Sequence, residues 1–548
     1  RPPATAGRAD AGGQARIVNV VMKEGGGLAG SWSAQGTLHS NGFVQPQGEA
    51  SIRWVRGNTT LSVGASAGMY EYSRLVGREF VRSVATGAIL EGGRNDDFRE
   101  FRQGELTAGL ESEMAGTTIR LNARYGAEDW QRDWWHGARR NETGSLFRLD
   151  SGYERRDERE WEMGFDAERD IAGWAGKLVL LVQGAVEESE ALAGFNPIGA
   201  PLRVDRFQAD QDTREDIARI SAGRSFGPHA FEAGVEWARN TLDAKSRLAV
   251  GDGVRFTLVP QAIASSRVEE MRTEAFVADS WTISPQFTLE GGLKVEWSTI
   301  SQSGDGANER SFVYPKPRLA AVWRPAQGWT VNGRVERVVG QLDFFDFISS
   351  AQVGDGNAVS GNRDLKPSQS WELEAALERR WGQRGAAKLT LYRAEIEDVV
   401  GLVILANGAE AVGNIPSGIR QGLDFDLTLP LDGVGLSGGD QFEARVRQDL
   451  PARKLSWGAW YWQGDGRRDY RRDQTFRWPQ GQNWGGWIET TAVRGLTIEL
   501  GAEGVPDRRF QRYRAIWAGN RATGRLDRLQ YRERSLDGTV YLSVRGVI

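Results

Sequence analysis

Residues 28–39 read LAGSWSAQGTLH, and residues 44–54 read VQPQGEASIRW. In the first stretch the even positions carry Leu, Gly, Trp and Ala, whereas the odd positions carry mostly Ser, Gln, Thr and His. After Asn41 and Gly42 the second stretch resumes the alternation. Because side chains on a β-strand point to opposite faces in turn, both stretches predict strands with one apolar and one polar face.

The same alternation recurs along the whole chain of 548 residues, of which 26% are charged. Mean hydropathy is −0.48, and the longest aliphatic run is only Leu178–Val182. A membrane helix needs about 18 apolar residues, and no run approaches that length. A strand wall between lipid and water gives a low mean hydropathy because its two faces cancel, and the 21 Trp, 21 Phe and 11 Tyr suit aromatic girdles.

Connections between the alternating stretches fall into two classes, which follow each other in turn. The short ones include Arg56–Asn58, Ala115–Thr117, Phe226–Pro228, Ser284–Pro285, residues 325–328 and Val493–Gly495. The long, charged ones are residues 70–100, 126–154, 187–214, 240–268, 338–369 and 504–538. Outer-membrane barrels combine short periplasmic turns with long extracellular loops. We therefore predict an all-β fold, a transmembrane antiparallel β-barrel.

This prediction fixes which face each side chain occupies. The apolar set, represented by Trp32, Ile52, Val63 and Leu121, should face lipid, and the charged set, represented by Arg53 and Arg124, should face a hydrated bore. An Arg or Lys turned towards lipid at mid-membrane costs about 2–4 kcal/mol. A shift of one residue would reverse every side chain, so the charges specify the register.

Five phrases resemble the TonB-dependent outer-membrane receptor family, and they occur in the family's usual order. They are residues 17–23 (IVNVVMK), 274–297 (EAFVADSWTISPQFTLEGGLKVEW), 314–325 (YPKPRLAAVWRP), 361–374 (GNRDLKPSQSWELE) and 414–425 (NIPSGIRQGLDF). The resemblance implies about 22 strands. It also implies that residues 1–27 are the tail of a plug domain with its linker, and that residues 28–548 form the barrel.

The resemblance further implies a receptor in the outer membrane of a Gram-negative bacterium, which takes up a scarce nutrient: siderophore-bound iron, cobalamin or an oligosaccharide. Expected partners are outer-membrane lipid and lipopolysaccharide, the plug domain, TonB through that plug, and a small-molecule or oligosaccharide ligand. Three departures from the family stand out. Most of the plug is absent from the chain, and the last residue is Ile548 rather than an aromatic. Near residues 433–440 the alternation of short and long connections is broken, because the count of strands would put the next short turn outside. We expect an irregular strand or a missing segment there.

Two aromatic clusters in the predicted loops are candidates for ligand contact. The first lies beside several arginines and could capture an organic anion or a sugar; it contains Trp130, Trp134, Trp135 and His136. The second lies beside Asp343 and Asp346 and contains Phe344, Phe345 and Phe347. The alternative interpretation is loop packing and interfacial anchoring for the tryptophans, and a loop core for the phenylalanines.

Other chemistry finds little support, so we predict no enzyme, no cofactor and no metal site. The chain has no Cys, and its three histidines lack zinc-ligand spacing. Gly433–Gly438 matches G-x-G-x-x-G, but no helical pattern follows it, which favours a turn. A formal net charge of −4 without a basic stripe argues against nucleic acid.

Two alternatives to a receptor stay open at this stage. A barrel without a plug could be a passive pore or an anchor for partner proteins. A soluble all-β protein, such as a carbohydrate-active propeller, would also contain many alternating strands.

Overall fold

The computed structural model describes residues 27–547, except residues 142, 356, 383–384, 407, 430–433, 439–440, 465 and 480. Almost all of the predicted plug tail, residues 1–26, lies outside the described residues. Across these described ranges, no helix is long and apolar enough to cross a membrane.

The described chain consists almost entirely of strands. The first fourteen are β1 (Gly27–Leu38), β2 (Val44–Arg56), β3 (Thr59–Ser83), β4 (Ile89–Met114), β5 (Thr117–Arg140), β6 (Leu146–Ile171), β7 (Trp174–Pro197), β8 (Arg203–Phe226), β9 (His229–Gly251), β10 (Phe256–Val259), β11 (Ser265–Ser284), β12 (Phe287–Gly304), β13 (Asn308–Trp323) and β14 (Trp329–Val339). The remaining thirteen are β15 (Ser350–Gln352), β16 (Asn357–Val359), β17 (Gln369–Trp381), β18 (Gly385–Ile404), β19 (Glu410–Leu429), β20 (Val434–Gly438), β21 (Phe442–Leu450), β22 (Leu455–Gln463), β23 (Arg467–Tyr470), β24 (Gln474–Trp478), β25 (Gln482–Thr490), β26 (Leu496–Ala518) and β27 (Arg525–Val547). Two 3₁₀ helices occupy Phe344–Phe347 and Pro451–Arg453.

These strands close into one antiparallel barrel. Every described strand except β10, β15, β16, β23 and β24 pairs with the next barrel strand along the chain, which gives a ring of 22 strands. Pairing of β1 with β27, from Ser31 opposite Val547 to Leu38 opposite Val540, closes the ring. The predicted barrel of about 22 strands is confirmed, and the ring excludes the soluble propeller alternative.

The short turns identified in the sequence all lie at one end of the barrel, as predicted. The broken alternation of connections near residues 433–440 has a simple cause. β20 is a strand of only five residues, and it pairs with both β19 and β21. This short strand returns the turn at Pro451–Arg453 to the same end as the other tight turns. The sequence prediction of an irregular strand in this region is therefore confirmed.

The predicted long loops are mostly not loops. β3 to β9 run for 23 to 26 residues each and stay paired far beyond the length of about 9–11 residues that crosses a membrane. Above the outer turn of the β1–β2 hairpin, β27 pairs directly with β3, from Leu75 opposite Leu536 to Ser83 opposite Arg528. The extracellular side from β3 to β9 is consequently a tall wall of paired strands.

Large apolar side chains cover the outer face of the barrel. Exposed examples from around the ring are Ile52, Val63, Leu121, Met163, Leu180, Ile220, Val235, Leu293, Leu319, Leu373, Leu423, Leu500 and Leu542. On the adjacent strands β4, β5 and β6, the side chains of Leu110, Leu121 and Phe165 lie side by side in register. The adjacent position on β5 is Arg120, whose Nη1 donates to Asp166 at 2.8 Å on the inner face. The sequence-based assignment of lipid-facing and bore-facing residues is thus confirmed.

The segment between β14 and β17, residues 340–368, crosses the bore, and we name it the lumenal loop. Its base is apolar. Phe347, Ile348 and Leu365 are buried against Leu242 and Val268 on the inner faces of β9 and β11. A Cβ at Gly361 would overlap the carbonyl oxygen of Phe347, so this close approach of two loop segments requires glycine. The tip of the loop is the β15–β16 hairpin, which reaches the opposite wall.

Candidate functional site

A cavity of about 640 Å³ opens on the inner wall formed by β3 to β5, β26 and β27. Six arginines line it, and we name it the arginine cavity: Arg99, Arg132, Arg508, Arg512, Arg532 and Arg534. Aromatic side chains complete the lining, among them Tyr70, Tyr72 and Trp478. Such a combination of cationic and aromatic groups in a concave site suits an organic anion.

Asp97 holds three of these arginines in place. Its carboxylate is fully buried and accepts from Nη2 of Arg132 and Nη1 of Arg534 at 2.7 Å each, and from Nε of Arg99 at 2.9 Å. Arg534 also donates from Nε to Asn95 at 2.7 Å. Because a buried carboxylate with three guanidinium partners is well satisfied, this part of the wall is rigid.

Two further arginines also have carboxylate partners on the barrel strands. Arg532 pairs with the buried Glu79 of β3, directly across the β27–β3 pairing. Arg508 donates from Nη1 to Glu503 at 3.2 Å, while its buried Nε has no acceptor among the described residues.

Arg512 differs from the other five because its carboxylate partner comes from the lumenal loop. Its Nη1 lies 3.5 Å from Oδ1 of Asp355, at the loop tip. The side chain of Arg512 is only 10% exposed, and Nε and Nη2 have no acceptor in the part of the chain that the structure describes. The guanidinium also stacks on Phe476, with 5.5 Å from Cζ to the ring centroid. Arg512 therefore keeps unused hydrogen-bond donors beside the cavity.

Asp355 is ionised at this position. Desolvation opposes its charge, but Arg512, Arg532, Arg514 and Arg132 outweigh desolvation and hold the pKa of Asp355 below its usual value.

The neighbouring contacts of the tip are polar as well: Gln352 accepts from Arg471 at 3.2 Å, and Asn357 accepts from Gln474 at 2.9 Å.

The structure corrects the location of the first predicted cluster. Trp130, Trp134, Trp135 and His136 lie on β5, within the extended wall, and not in a loop. Alternation divides them, because even positions share the inner face with Arg132 whereas Trp135 is exposed on the outer face. Trp130, Trp134 and His136 therefore share one face of β5, and Trp135 lies on the other.

Trp134 and His136 both have neighbours on β6. Trp134 packs against Gly152 of β6, where a Cβ would lie 2.6 Å from the indole, and its other side lies beside Gly354 of the loop tip. His136 is buried, with Nδ1 3.7 Å from Asp150. Trp134 therefore helps to seat the loop.

The second predicted cluster is divided between a core and a cavity. Phe347 is buried in the apolar base of the lumenal loop, which matches the loop-core interpretation. Phe344 and Phe345 line a second cavity of about 400 Å³, together with Arg124, Glu160, Glu215 and Glu270. Burial, followed by the nearby Asp343, raises the pKa of Asp346 in the same 3₁₀ helix to about 6.

The sequence analysis missed the arginine cavity. Its arginines come from four strands, β4, β5, β26 and β27, and each arginine on its own is an ordinary residue of a charged segment. One signal was available: Arg508, Arg512, Arg532 and Arg534 all occupy even positions within residues 504–538, as expected for one face of two strands. Among the described residues, no group of three or more His, Asp or Glu side chains is arranged to hold a metal ion.

A closed ring of 22 strands with an apolar exterior, a charged bore and short turns at one end defines an outer-membrane β-barrel. The family described as "TonB dependent receptor-like, beta-barrel" matches residues 51–505, and the chain belongs to this family. The protein is accordingly located in the outer membrane of a Gram-negative bacterium. The family resemblance drawn from the sequence is confirmed.

Individual proteins agree with this assignment. An iron-regulated outer membrane virulence protein of Vibrio cholerae is 26% identical over 220 residues, which are 37% of this chain and 30% of that protein. Among solved structures, the ferripyoverdine receptor of Pseudomonas aeruginosa matches 96% of this chain and 72% of its own, with a TM-score of 0.66 and 11% identity. A mutant of the ferric enterobactin receptor of the same organism matches 96% and 81%, with a TM-score of 0.60 and 14% identity. At such identities the two structures establish the shared fold.

Proposed function

We propose that this chain is the barrel of a receptor for TonB-dependent uptake of an anionic iron chelate of the siderophore type. The observation that carries the proposal is the arginine cavity on the extracellular side of the bore. Of the three ligand classes that the family resemblance implies, a ferric siderophore with carboxylate or catecholate groups suits this cavity best, because its anionic oxygens can accept from the guanidinium nitrogens of Arg508 and Arg512 that have no acceptor among the described residues.

The receptors with a similar fold support this choice, since ferripyoverdine and ferric enterobactin are named as their ligands, and the Vibrio relative is iron-regulated. In the proposed function, the ligand enters from outside and contacts the arginine cavity and the lumenal loop. A plug domain occupies the periplasmic part of the bore and couples the receptor to TonB, while lipopolysaccharide and outer-membrane lipid surround the apolar exterior. The barrel needs no covalent chemistry for this work, because it binds and releases its cargo.

Binding of defined iron chelates to the purified full chain in detergent tests the proposal. We expect ferric citrate and a ferric tris-catecholate to bind, with affinity that falls as salt rises, and a neutral ferric trihydroxamate to bind much more weakly. Arg534→Gln should weaken the anionic chelates. Arg155→Gln, which removes an arginine paired with the exposed Asp133, is the matched control and should leave binding unchanged. Preference for a neutral sugar over every chelate would overturn the proposal.

The passive-pore alternative makes a different prediction. A lumenal loop that crosses the bore, with a buried apolar base, should restrict free diffusion. Single-channel conductance in a planar bilayer distinguishes the two functions. Large, continuous conductance by the chain together with failure to bind any chelate would favour the pore.

A further inference from the structure

The lumenal loop is attached to the barrel in two different ways. Its base is held by buried apolar side chains and by backbone hydrogen bonds such as Ser349 N–H to the carbonyl oxygen of Ile263 at 3.0 Å. Its tip, by contrast, touches the far wall through polar contacts at Gln352, Asp355 and Asn357, and it also buries the side chain of Val353. Apolar burial resists water and ions, whereas exposed polar contacts compete with them, so the tip can separate while the base stays in place.

Asp355 occupies a special position among these tip contacts. Its carboxylate is 38% exposed and pairs with Arg512, which also lines the arginine cavity. The carboxylates that hold the other five arginines belong to the barrel strands, and two of them, Asp97 and Glu79, are buried. Arg512 is therefore the arginine of the cavity that an incoming anion can recruit with the least loss, because its present partner is on a movable segment.

We propose, on the basis of the function proposed above, that the arginine cavity is a polyanion site at which Asp355 serves as a displaceable internal anion, so that a bound polyanion takes over Arg512 and releases the tip of the lumenal loop. The ligand class is a compact molecule with two or more carboxylate, catecholate or phosphate groups. One group contacts Arg512 through the unused Nε and Nη2 donors, and another contacts Arg532 or Arg534 across the cavity.

This arrangement links occupancy of the cavity to the state of the bore. When the cavity is empty, Asp355 keeps the β15–β16 hairpin against β26 and beside Trp134. When a polyanion binds, the ion pair with Asp355 is lost, and the hairpin keeps the polar contacts of Gln352 and Asn357, the buried side chain of Val353 and the contact of Gly354 with Trp134. The loop thus responds to anionic cargo and not to neutral solutes.

Removal of the internal anion provides the first test. Citrate and inorganic phosphate are the probes, and their affinity for the full chain is measured by isothermal titration calorimetry. If Asp355 competes with the probe, Asp355→Asn should bind citrate about two- to fivefold more tightly than the unmodified chain, since a partly exposed ion pair contributes up to about 1 kcal/mol. The control Asp343→Asn alters a loop carboxylate at the second cavity and should leave citrate affinity unchanged. Equal or weaker citrate binding by Asp355→Asn overturns the proposal.

Release of the tip provides the second test. Hydrogen–deuterium exchange should show that citrate increases exchange in residues 350–359 and leaves residues 344–349 protected. Arg512→Gln should make exchange at the tip fast with or without citrate. Unchanged or slower exchange at residues 350–359 with saturating citrate contradicts the proposal. These readouts do not depend on uptake: if iron transport fails while citrate still releases the tip, the proposed function is wrong and this inference stands.

Discussion

Asp355 and Arg512 are separated by 157 residues in the sequence, yet Oδ1 of the aspartate lies 3.5 Å from Nη1 of the arginine across the extracellular part of the bore. This pair joins a loop that starts after β14 to the opposite wall at β26. Among the described arginines of the arginine cavity there are thus two kinds of charge pairing: fixed pairs, whose carboxylate is on a barrel strand, and the pair of Arg512, whose carboxylate is on a loop.

Breaking a fixed pair should strongly reduce the free energy of unfolding. Asp97→Asn removes the buried negative charge that Arg99, Arg132 and Arg534 share, although Arg132 keeps its ion pair with Glu154. Loss of one partner from a buried charge network costs about 3–5 kcal/mol, and the free energy of unfolding in urea, measured for the barrel in lipid vesicles, should fall by that amount.

Asp133→Asn is the matched control for Asp97, because Asp133 also pairs with an arginine, Arg155, but in an exposed position on the outer face. An exposed pair contributes about 1 kcal/mol at most, so this variant should unfold almost like the unmodified chain. Similar losses in both variants would show that burial of Asp97 does not control its contribution.

The base of the lumenal loop should depend on apolar burial. Leu365 is 1% exposed and packs in the cluster with Phe347 and Leu242. Leu365→Ala leaves a cavity and should destabilise the docked loop by about 2–5 kcal/mol. Faster hydrogen exchange throughout residues 340–368, with an unchanged barrel, is the expected result. Leu373→Ala on the outer face is the control and should leave exchange in the loop unchanged. If the loop stays protected from exchange in Leu365→Ala, apolar burial at its base does not hold it in place.

The membrane part of the fold could be predicted from the sequence because each strand there has two different environments. Leu121 faces lipid and Asn122 faces the bore, and this contrast appears directly as alternation. The same reasoning located the irregular strand. The chain has to cross the barrel once more near residues 433–440 to bring the next tight turn to the periplasmic end, and the short strand β20 makes that crossing.

The extracellular wall could not be predicted in the same way. Above the membrane both faces of a strand meet water, and charged residues such as Asp129, Arg132 and Asp133 occupy both faces of β5. Alternation disappears, so the segment looks like a loop. The lumenal loop and the arginine cavity depend on contacts between distant segments, such as Phe347 with Leu242, and no local pattern contains that information.

Docking of the lumenal loop should weaken as the pH rises from 4 to above 6. The pKa of Asp346 in the folded protein is about 6, against a usual value of 3.8, so the protonated form stabilises the docked state below pH 4 and this contribution is lost as the pH rises through 6. Hydrogen exchange at residues 344–349, corrected for intrinsic rates, measures the effect. Asp346→Asn should remove the pH dependence, and an equal dependence in the variant would assign it to another group.

Placing one charge on either face of β5 tests the transmembrane arrangement itself. Leu121→Arg and Asn122→Arg introduce the same side chain at adjacent positions of a membrane-spanning strand, but Leu121 is exposed on the apolar exterior, whereas the Nδ2 of Asn122 donates to Glu162 at 3.1 Å in the bore. The lipid-facing arginine should destabilise the barrel, lowering the free energy of unfolding in vesicles by about 2–4 kcal/mol. The bore-facing arginine should be tolerated beside its carboxylate neighbour. Folding yield and urea unfolding, followed by the heat-dependent shift of the folded barrel on gels, report both variants. If Asn122→Arg proves the more damaging of the two, the faces of β5 are reversed and the arginine cavity cannot lie in the bore.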